Sequence, residues 1–406
     1  MRIAYVTETY PPELNGVALT VERTVRYLRE RGHAVDLIRP RQPEVDGATG
    51  AVASGATSSG ATSSGTTSSS VPSEWLTRGF PIPMYPDLRF GLAGAGALRR
   101  RFAETCPDLV HLATPGPLAW EALRAARSMG IATSSDFRTH FHRYSGYYHL
   151  GAFASVVLAA LKWFHNRSDR TFVPTGSVER ELEASGFRNL SVVGRGVDTA
   201  RFSPARRSPE LRAAWGARAD APVLLYVGRI AAEKNVALAL RSFEALRRHD
   251  PSARMVVVGD GPLRQRLAAA HPAALFVGVH CGDALAACYA SADVFVFPSL
   301  SETFGNVTLE ALASGLPVVA FDAAAASEHV ANGVAGLLVA PDDDDGFERA
   351  VCRLALHRQR IEAMRPHATA AARRVRWDDV LARFESDLQD TIDGHQTPSP
   401  AAAVVA

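Results

Sequence analysis

Short apolar runs alternate with longer amphipathic stretches through most of this chain. Ile3–Thr7, Ala34–Ile38, Asp108–Ala113, Ile131–Ser134, Phe172–Pro174 and Leu190–Val193 are such runs in the first half. Val223–Val227, Arg254–Val258, Leu275–Val277, Val294–Phe297 and Val318–Phe321 continue the series in the second. Runs of three to six mostly apolar residues bounded by turn residues read as strands buried on both faces. Between them the apolar period lengthens to that of a helix. Val21, Val25 and Leu28 share a face in Val17–Arg31, and Gly32 follows as a stop. Trp377, Leu381, Phe384 and Leu388 share one in Arg376–Asp390. Strand and helix alternating twice over predict two α/β domains with doubly wound parallel sheets.

The 406 residues agree with two domains, being too many for one ordinary core. Gly194-Arg195-Gly196-Val197-Asp198, followed by Pro204 and Pro209, reads as the linker between them. Residues 47–70 are almost purely Ala, Gly, Ser and Thr, in near-repeats of ATSSG. They lack the apolar residues to build a core and predict a disordered surface insertion. Residues 392–406 predict a disordered tail. The apolar run 150–164 is too short to span a bilayer and predicts a core or surface helix.

Composition narrows the class. An apolar share of 47% with a charged share of 21% is globular. A formal charge of +2 gives no electrostatic footprint for nucleic acid. Cys106, Cys281, Cys288 and Cys352 show no paired spacing, so they read as reduced thiols rather than zinc ligands or a disulfide frame. Met1-Arg2 runs straight into the first strand, which leaves no room for a signal peptide and predicts a cytoplasmic protein. Arg99, Arg100, Arg101, Arg138 and Arg143 with the apolar 150–164 run are either ordinary surface or a patch docking on anionic lipid at the inner face of the cell membrane.

The candidate chemistry centres on Phe297–Asp322, read as strand, loop, helix, turn and strand. Glu302 and Glu310 flank the helix start near Asn306, and Thr303-Phe304-Gly305-Asn306 brings backbone amides to it. Helix starts bind anions, and a carboxylate accepts two hydrogen bonds from a vicinal diol. A nucleotide sugar has this layout: phosphate in the middle, hydroxyls at both ends. Gly228-Arg229-Ile230-Ala231-Ala232-Glu233-Lys234 places two cations at a strand exit, suited to clamping a diphosphate. The same residues read alone as a surface ion pair with Glu233. Gly16, at the first helix start, lets a ligand approach the backbone. Gly259-x-Gly261-Pro262 reads as a plain strand-exit turn, and Asp342–Asp345 as a solvated helix start rather than a metal site.

With these motifs in view, the chain resembles retaining glycosyltransferases of family 4, apart from 47–70 and the tail. The resemblance implies the GT-B fold: two Rossmann-like domains facing a central cleft. Residues 1–200 would be the acceptor domain, 201–375 the donor domain, and 376–391 a helix crossing back to the first. Arg229 and Lys234 match the diphosphate pair, Glu302 the sugar residue, and Glu310 the ribose residue. Phe304, Gly305, Asn306 and Gly16 match close backbone approaches, and Val279-His280 sits where the base is gripped. The first-domain loop Arg138-Thr139-His140-Phe141-His142-Arg143-Tyr144 departs from the family's His-Thr-Asn-Phe-Pro-Arg-Tyr. Arg138 stands at the histidine position, so His140, His142 and Arg138 all remain candidates for that catalytic role. Arg138, His142, Arg143 and Tyr144 are the acceptor candidates. The implied reaction is metal-independent, retaining hexosyl transfer from a nucleotide sugar, foremost GDP-mannose, to a lipid or glycan, with no bound cofactor. UDP-dependent glucosyl or sulfoquinovosyl transfer, a nucleotide-sugar 2-epimerase, and a silent sugar-nucleotide-binding protein are the rival readings.

Overall fold

The apolar runs hydrogen-bond into two separate sheets. The computed structural model describes residues 1–13, 16–42, 73–82, 85–138, 151–300, 302 and 304–396. The predicted insertion at 47–70 and the chain beyond Gln396 lie outside them.

The first sheet holds β1 (Arg2–Val6), β2 (Ala34–Pro40), β3 (Glu74–Ile82), β4 (Tyr85–Leu92), β5 (Leu109–Leu112), β6 (Ala132–Asp136), β7 (Arg170–Val173) and β8 (Leu190–Val192). Their order is β4-β3-β2-β1-β5-β6-β7-β8, parallel except for β3 against β4. β1 is central, with Ile3 opposite Val35 on one side and Leu109 on the other. Alternate residues point to opposite faces. Ile3 and Tyr5 pack with Val21, Val25 and Leu28 of helix α1 (Gly16–Glu30), in a core that includes Phe172. Ala4 and Val6 pack on the other face, in the core with Leu98 and Phe102 of α2 (Ala95–Thr105) and Leu118 and Ala122 of α3 (Pro117–Ser128). The 74–92 hairpin had no signature in the pattern. Pro81 and Pro86 interrupt it, and an edge pair tolerates prolines that a central strand excludes.

Helices α4 (Gly151–His165) and α5 (Gly176–Ala184) complete the first unit, and α6 (Pro209–Ala214) lies in the connection. The second sheet holds β9 (Val223–Val227), β10 (Arg254–Val258), β11 (Leu275–Gly278), β12 (Val294–Phe297), β13 (Val318–Phe321) and β14 (Gly336–Val339). Its order is β11-β10-β9-β12-β13-β14, all parallel. Strand order reverses between β1 and β5 in one sheet and between β9 and β12 in the other. Open parallel sheets bind ligands outside the carboxyl ends of such switch points.

Around the second sheet run α7 (Val236–His249), α8 (Arg264–Ala270), α9 (Gly282–Ser291), α10 (Asn306–Ala313), α11 (Ala324–His329), α12 (Asp344–Ala355) and α13 (Arg358–Arg373). The acidic run before α12 acts as a helix start: Gly346 N donates to Asp343 Oδ1 at 2.8 Å, and Arg241 donates to Asp344 at 2.7 Å.

The last helix, α14 (Trp377–Gln396), packs on the first sheet. Phe384, Leu388 and Ile392 enter the core of Ile3, Tyr5 and Phe172. Glu385 anchors the helix, accepting from Tyr27 Oη at 3.0 Å and Arg31 Nε at 3.2 Å, with His33 Nε2 at 2.7 Å. This corrects the expectation of a disordered tail from residue 392: burial of Ile392 carries the helix on to Gln396. The two crossings between the sheets run side by side. Val197 N donates to Val375 O at 3.0 Å, and a Cβ on Gly196 would stand 2.4 Å from Trp377 N. Only glycine permits that approach.

Leu388 is fully buried in the first unit although it lies at the far end of the chain. Leu388→Ala is expected to cost about 2–5 kcal/mol, by lost burial and a residual cavity. Chemical denaturation followed by tryptophan fluorescence measures this; an unchanged midpoint would show that the helix does not contribute to folding of the first unit.

Candidate functional site

Backbone crowding at the end of β9 shapes the first half of the site. A Cβ on Gly259 would stand 2.0 Å from Gly228 O, and one on Gly261 2.5 Å from Ile230 O. The turn after β10 therefore lies directly on the turn after β9, with Ile230 N donating to Asp260 O at 2.9 Å and Leu263 N to Ile230 O at 3.0 Å. Tyr226, buried below, donates its hydroxyl to Arg229 O at 3.0 Å. The Arg229 side chain is left 41% exposed, with Nη1 3.7 Å from the buried Glu233 carboxylate. Arg229 thus pairs with Glu233, which is buried rather than at the surface. Lys234 points inward to Glu302, which also accepts from Ser299 Oγ at 2.9 Å.

The second half of the site is the start of α10. Gly305 has φ of +93°, a left-handed geometry that suits glycine, and Asn306 opens the helix. Phe304 is buried against His329, and its carbonyl accepts from Ala325 N at 2.9 Å. Glu310 lies one turn into α10 and accepts from Tyr289 Oη at 2.9 Å. Burial pushes the Glu310 carboxyl up to about 7, against the lowering effect of Tyr289. The two acids therefore differ: Glu302 sits in an ion pair, and Glu310 titrates near neutrality. Beyond β11, Val279 is 63% exposed, and the buried His280 Nδ1 makes no hydrogen bond among the described residues.

The first unit faces these residues with a buried polar cluster. Asp136, ending β6, accepts from Arg138 Nε at 2.6 Å and lies 3.2 Å from His111 Nε2. Burial works to raise the Asp136 carboxyl, but Arg138 and His111 hold it below its usual range. The side chain of Arg138, the acceptor candidate at the histidine position, is largely buried and drawn toward Asp136. His140, His142, Arg143 and Tyr144 lie outside the described residues. Arg101, expected in a basic surface patch, is likewise drawn inward, to Asp36 at 2.6 Å and Ser73.

Gly16 opens α1 and faces the second unit: a Cβ there would lie 3.5 Å from Arg195 Nη1 and 3.7 Å from Asn306 Nδ2. Arg195 Nη1 donates to Asn306 Oδ1 at 3.2 Å, a direct link across the cleft. A second link runs from Gly176 N to Glu328 at 2.7 Å. A pocket open to solvent lies beside Asp136, Arg138 and Arg195. Another runs between Glu181 of α5 and Glu302, Phe304 and Asp322. Sequence reasoning missed Arg195 and the His111–Asp136 cluster. The available signals were a charge between two glycines in the linker, and polar residues within the β5 and β6 runs. Among the described residues no group of three or more His, Cys, Asp or Glu is placed to hold a metal.

Two parallel-sheet α/β units meeting at such a cleft define the GT-B class. Residues 14–201 match the model of Glycosyltransferase Family 4, and residues 221–357 that of Glycosyl transferases group 1. A GDP-mannose-dependent alpha-mannosyltransferase of Mycolicibacterium smegmatis is 35% identical over 97% of this chain and 96% of its own. One of Mycobacterium tuberculosis is 33% identical over the same shares. The crystal structure of Anabaena Alr3699/HepE in complex with UDP matches with a TM-score of 0.72 at 17% identity, over 96% of this chain and 100% of that one. The chain belongs to glycosyltransferase family 4 and is a glycosyltransferase.

Glu310 gives a pH test. Its folded pKa, about 7, lies above the ordinary 4.5, so its ionisation opposes folding progressively as pH rises from 4.5 through 7. Glu310→Gln removes that cost. The variant's stability relative to the parent should be near equal below pH 4.5 and higher by on the order of 1–3 kcal/mol above pH 7. Thermal melts across this range check it; a constant difference would refute the shift.

Proposed function

We propose that this glycosyltransferase moves mannose from GDP-mannose to a hydroxyl of a lipid or glycan acceptor, with retention and without a metal. The observation that carries the donor site is the Lys234–Glu302 pair beside Arg229 at the start of α10, with the Glu310–Tyr289 pair one turn along. The mannosyltransferase names of the two relatives, which span nearly this whole chain, support the choice of sugar and base. Those names also specify alpha products, and GDP-mannose is itself α-linked, which favours retention.

In this reading Glu310 accepts from the ribose diol, and Glu302 from hydroxyls of the mannose. Arg229 and Lys234 lie against the diphosphate, with Gly305 and Asn306 bringing the α10 amides to it. The bond from mannose C1 to the phosphate oxygen breaks, and its electron pair stays on the diphosphate. The acceptor oxygen bonds to C1 on the same face, and its proton passes to the departing diphosphate. Arg229, Lys234 and the α10 dipole stabilise the developing charge. His140 and His142 remain the proposed contacts of the sugar from the acceptor side, and Arg143 and Tyr144 of the acceptor.

Peripheral membrane contact by the first unit fits this acceptor class. On α4, Val156 is 62% and Trp163 42% exposed. Trp163 stacks on Trp120, with the Arg167 guanidinium 4.0 Å above it. Among the described residues no helix is long and apolar enough to cross a membrane.

Lys234→Ala and Glu310→Ala should each lower transfer about 100-fold or more while the protein stays folded. A donor panel read by nucleoside diphosphate release and product mass checks this. Full turnover in both variants would sink the site, and preference for a UDP-sugar would sink the donor. EDTA should leave the rate unchanged; a loss restored by Mg²⁺ would overturn metal independence. Flotation with anionic vesicles tests membrane contact, with Trp163→Ala expected to weaken it.

A further inference from the structure

Arg195 has more cationic capacity than its surroundings use. It lies between two glycines in the connection joining the sheets and is only 8% exposed. A guanidinium carries five N–H donors. Among the described residues this one makes a single hydrogen bond, 3.2 Å to the neutral amide oxygen of Asn306. The nearest carboxylates are already engaged: Asp136 by Arg138 and His111, Glu302 by Lys234 and Ser299.

The surroundings are also positive. Nη1 stands between Asn306, the first residue of α10, and the position a Cβ on Gly16, the first residue of α1, would take. Helix N-termini carry partial positive charge, and here two from opposite units converge on a buried cation. Burial, and then Arg138, push the Arg195 pKa down to about 9, a low value for a guanidinium. A cation kept only to hold the units together would do better against a free carboxylate. One held away from counter-charge, at two helix starts, is placed for an incoming anion.

We propose that Arg195 is a third cationic ligand of the donor's diphosphate, supplied from the interdomain connection to complement Arg229 and Lys234 on the second unit. The inference rests on the nucleotide-sugar reading above and adds to it a residue of the donor site. Because Arg195 reaches both Asn306 and Gly16, a diphosphate on it touches both halves of the cleft.

The test is calorimetric titration of GDP and UDP, each against its free nucleoside, into the full-length parent, Arg195→Gln and Arg195→Lys. Losing one charge-assisted phosphate contact should weaken diphosphate binding by about 10- to 100-fold in Arg195→Gln and less in Arg195→Lys. Nucleoside affinity should stay within about twofold, since the lost contact is to phosphate alone. Equal diphosphate affinity in parent and variants, or an equal loss for diphosphate and nucleoside, overturns the role of Arg195. Should Arg195→Gln fail to fold, the Arg195→Lys ratio decides by the same criterion. Failure of the parent to bind either diphosphate would instead overturn the nucleotide-sugar reading itself.

Discussion

A parallel sheet ends all its strands, and begins the helices that follow them, along one edge. Each helix start brings unsatisfied amides and partial positive charge. In this protein two such edges face one another. Gly16 of α1 and Asn306 of α10 come close enough for one guanidinium to stand beside both. Positive charge accumulates at the meeting of the edges, with Arg229, Lys234, Arg138 and Arg195 all nearby. The buried acids are distributed to contain it. Asp136 holds Arg138, Glu302 holds Lys234, and Glu233 sits under Arg229. In the reading proposed above, what these acids leave uncompensated is the site for a polyanion, the nucleoside diphosphate sugar.

Such a site must also be held rigidly. The turns after β9 and β10 interlock so closely that only glycine fits at 259 and 261, which fixes the backbone carrying Arg229. On the opposite wall Asp136 is fixed by two partners, and His111 also reaches Ser134 at 2.9 Å. Rigid walls on separate units give geometry without blocking relative motion. Among the described residues, the contacts between the units include the paired crossings at Val197 and Val375, the Arg195–Asn306 contact, and the Glu328–Gly176 contact. Interfaces of this modest kind permit domain closure, which excludes water from the reacting centre.

Glu302 and Glu310 show how the same residue type acquires different chemistry. Both are glutamates flanking one helix start. Glu302 accepts from a lysine and a serine. Glu310 faces a tyrosine hydroxyl in a desolvated position, and its proton affinity rises to the neutral range. One lies within a charge pair, and the other in a desolvated position where a carboxyl keeps its proton closer to neutral pH.

Much of this was legible along the chain. Apolar runs of strand length, spaced by helical periods, are local consequences of burial on two faces, so both parallel sheets were readable, as was the helix at Asn306. The Arg229–Lys234 and Glu302–Glu310 motifs were visible because each lies at a strand exit. The 74–92 hairpin was not, since an edge pair is specified by its neighbours rather than by its own pattern. Arg195 was read as linker because a loop has no period to betray a buried charge. The burial of Arg138 was not legible, because a sequence does not show that Asp136, two residues earlier, pulls it inward. The sequence by itself determined the central strands, the helices that follow them and where their ends carry charge. Tertiary structure alone decided which charges neutralise one another and which are left over, because pairing depends on distances between residues far apart in the chain.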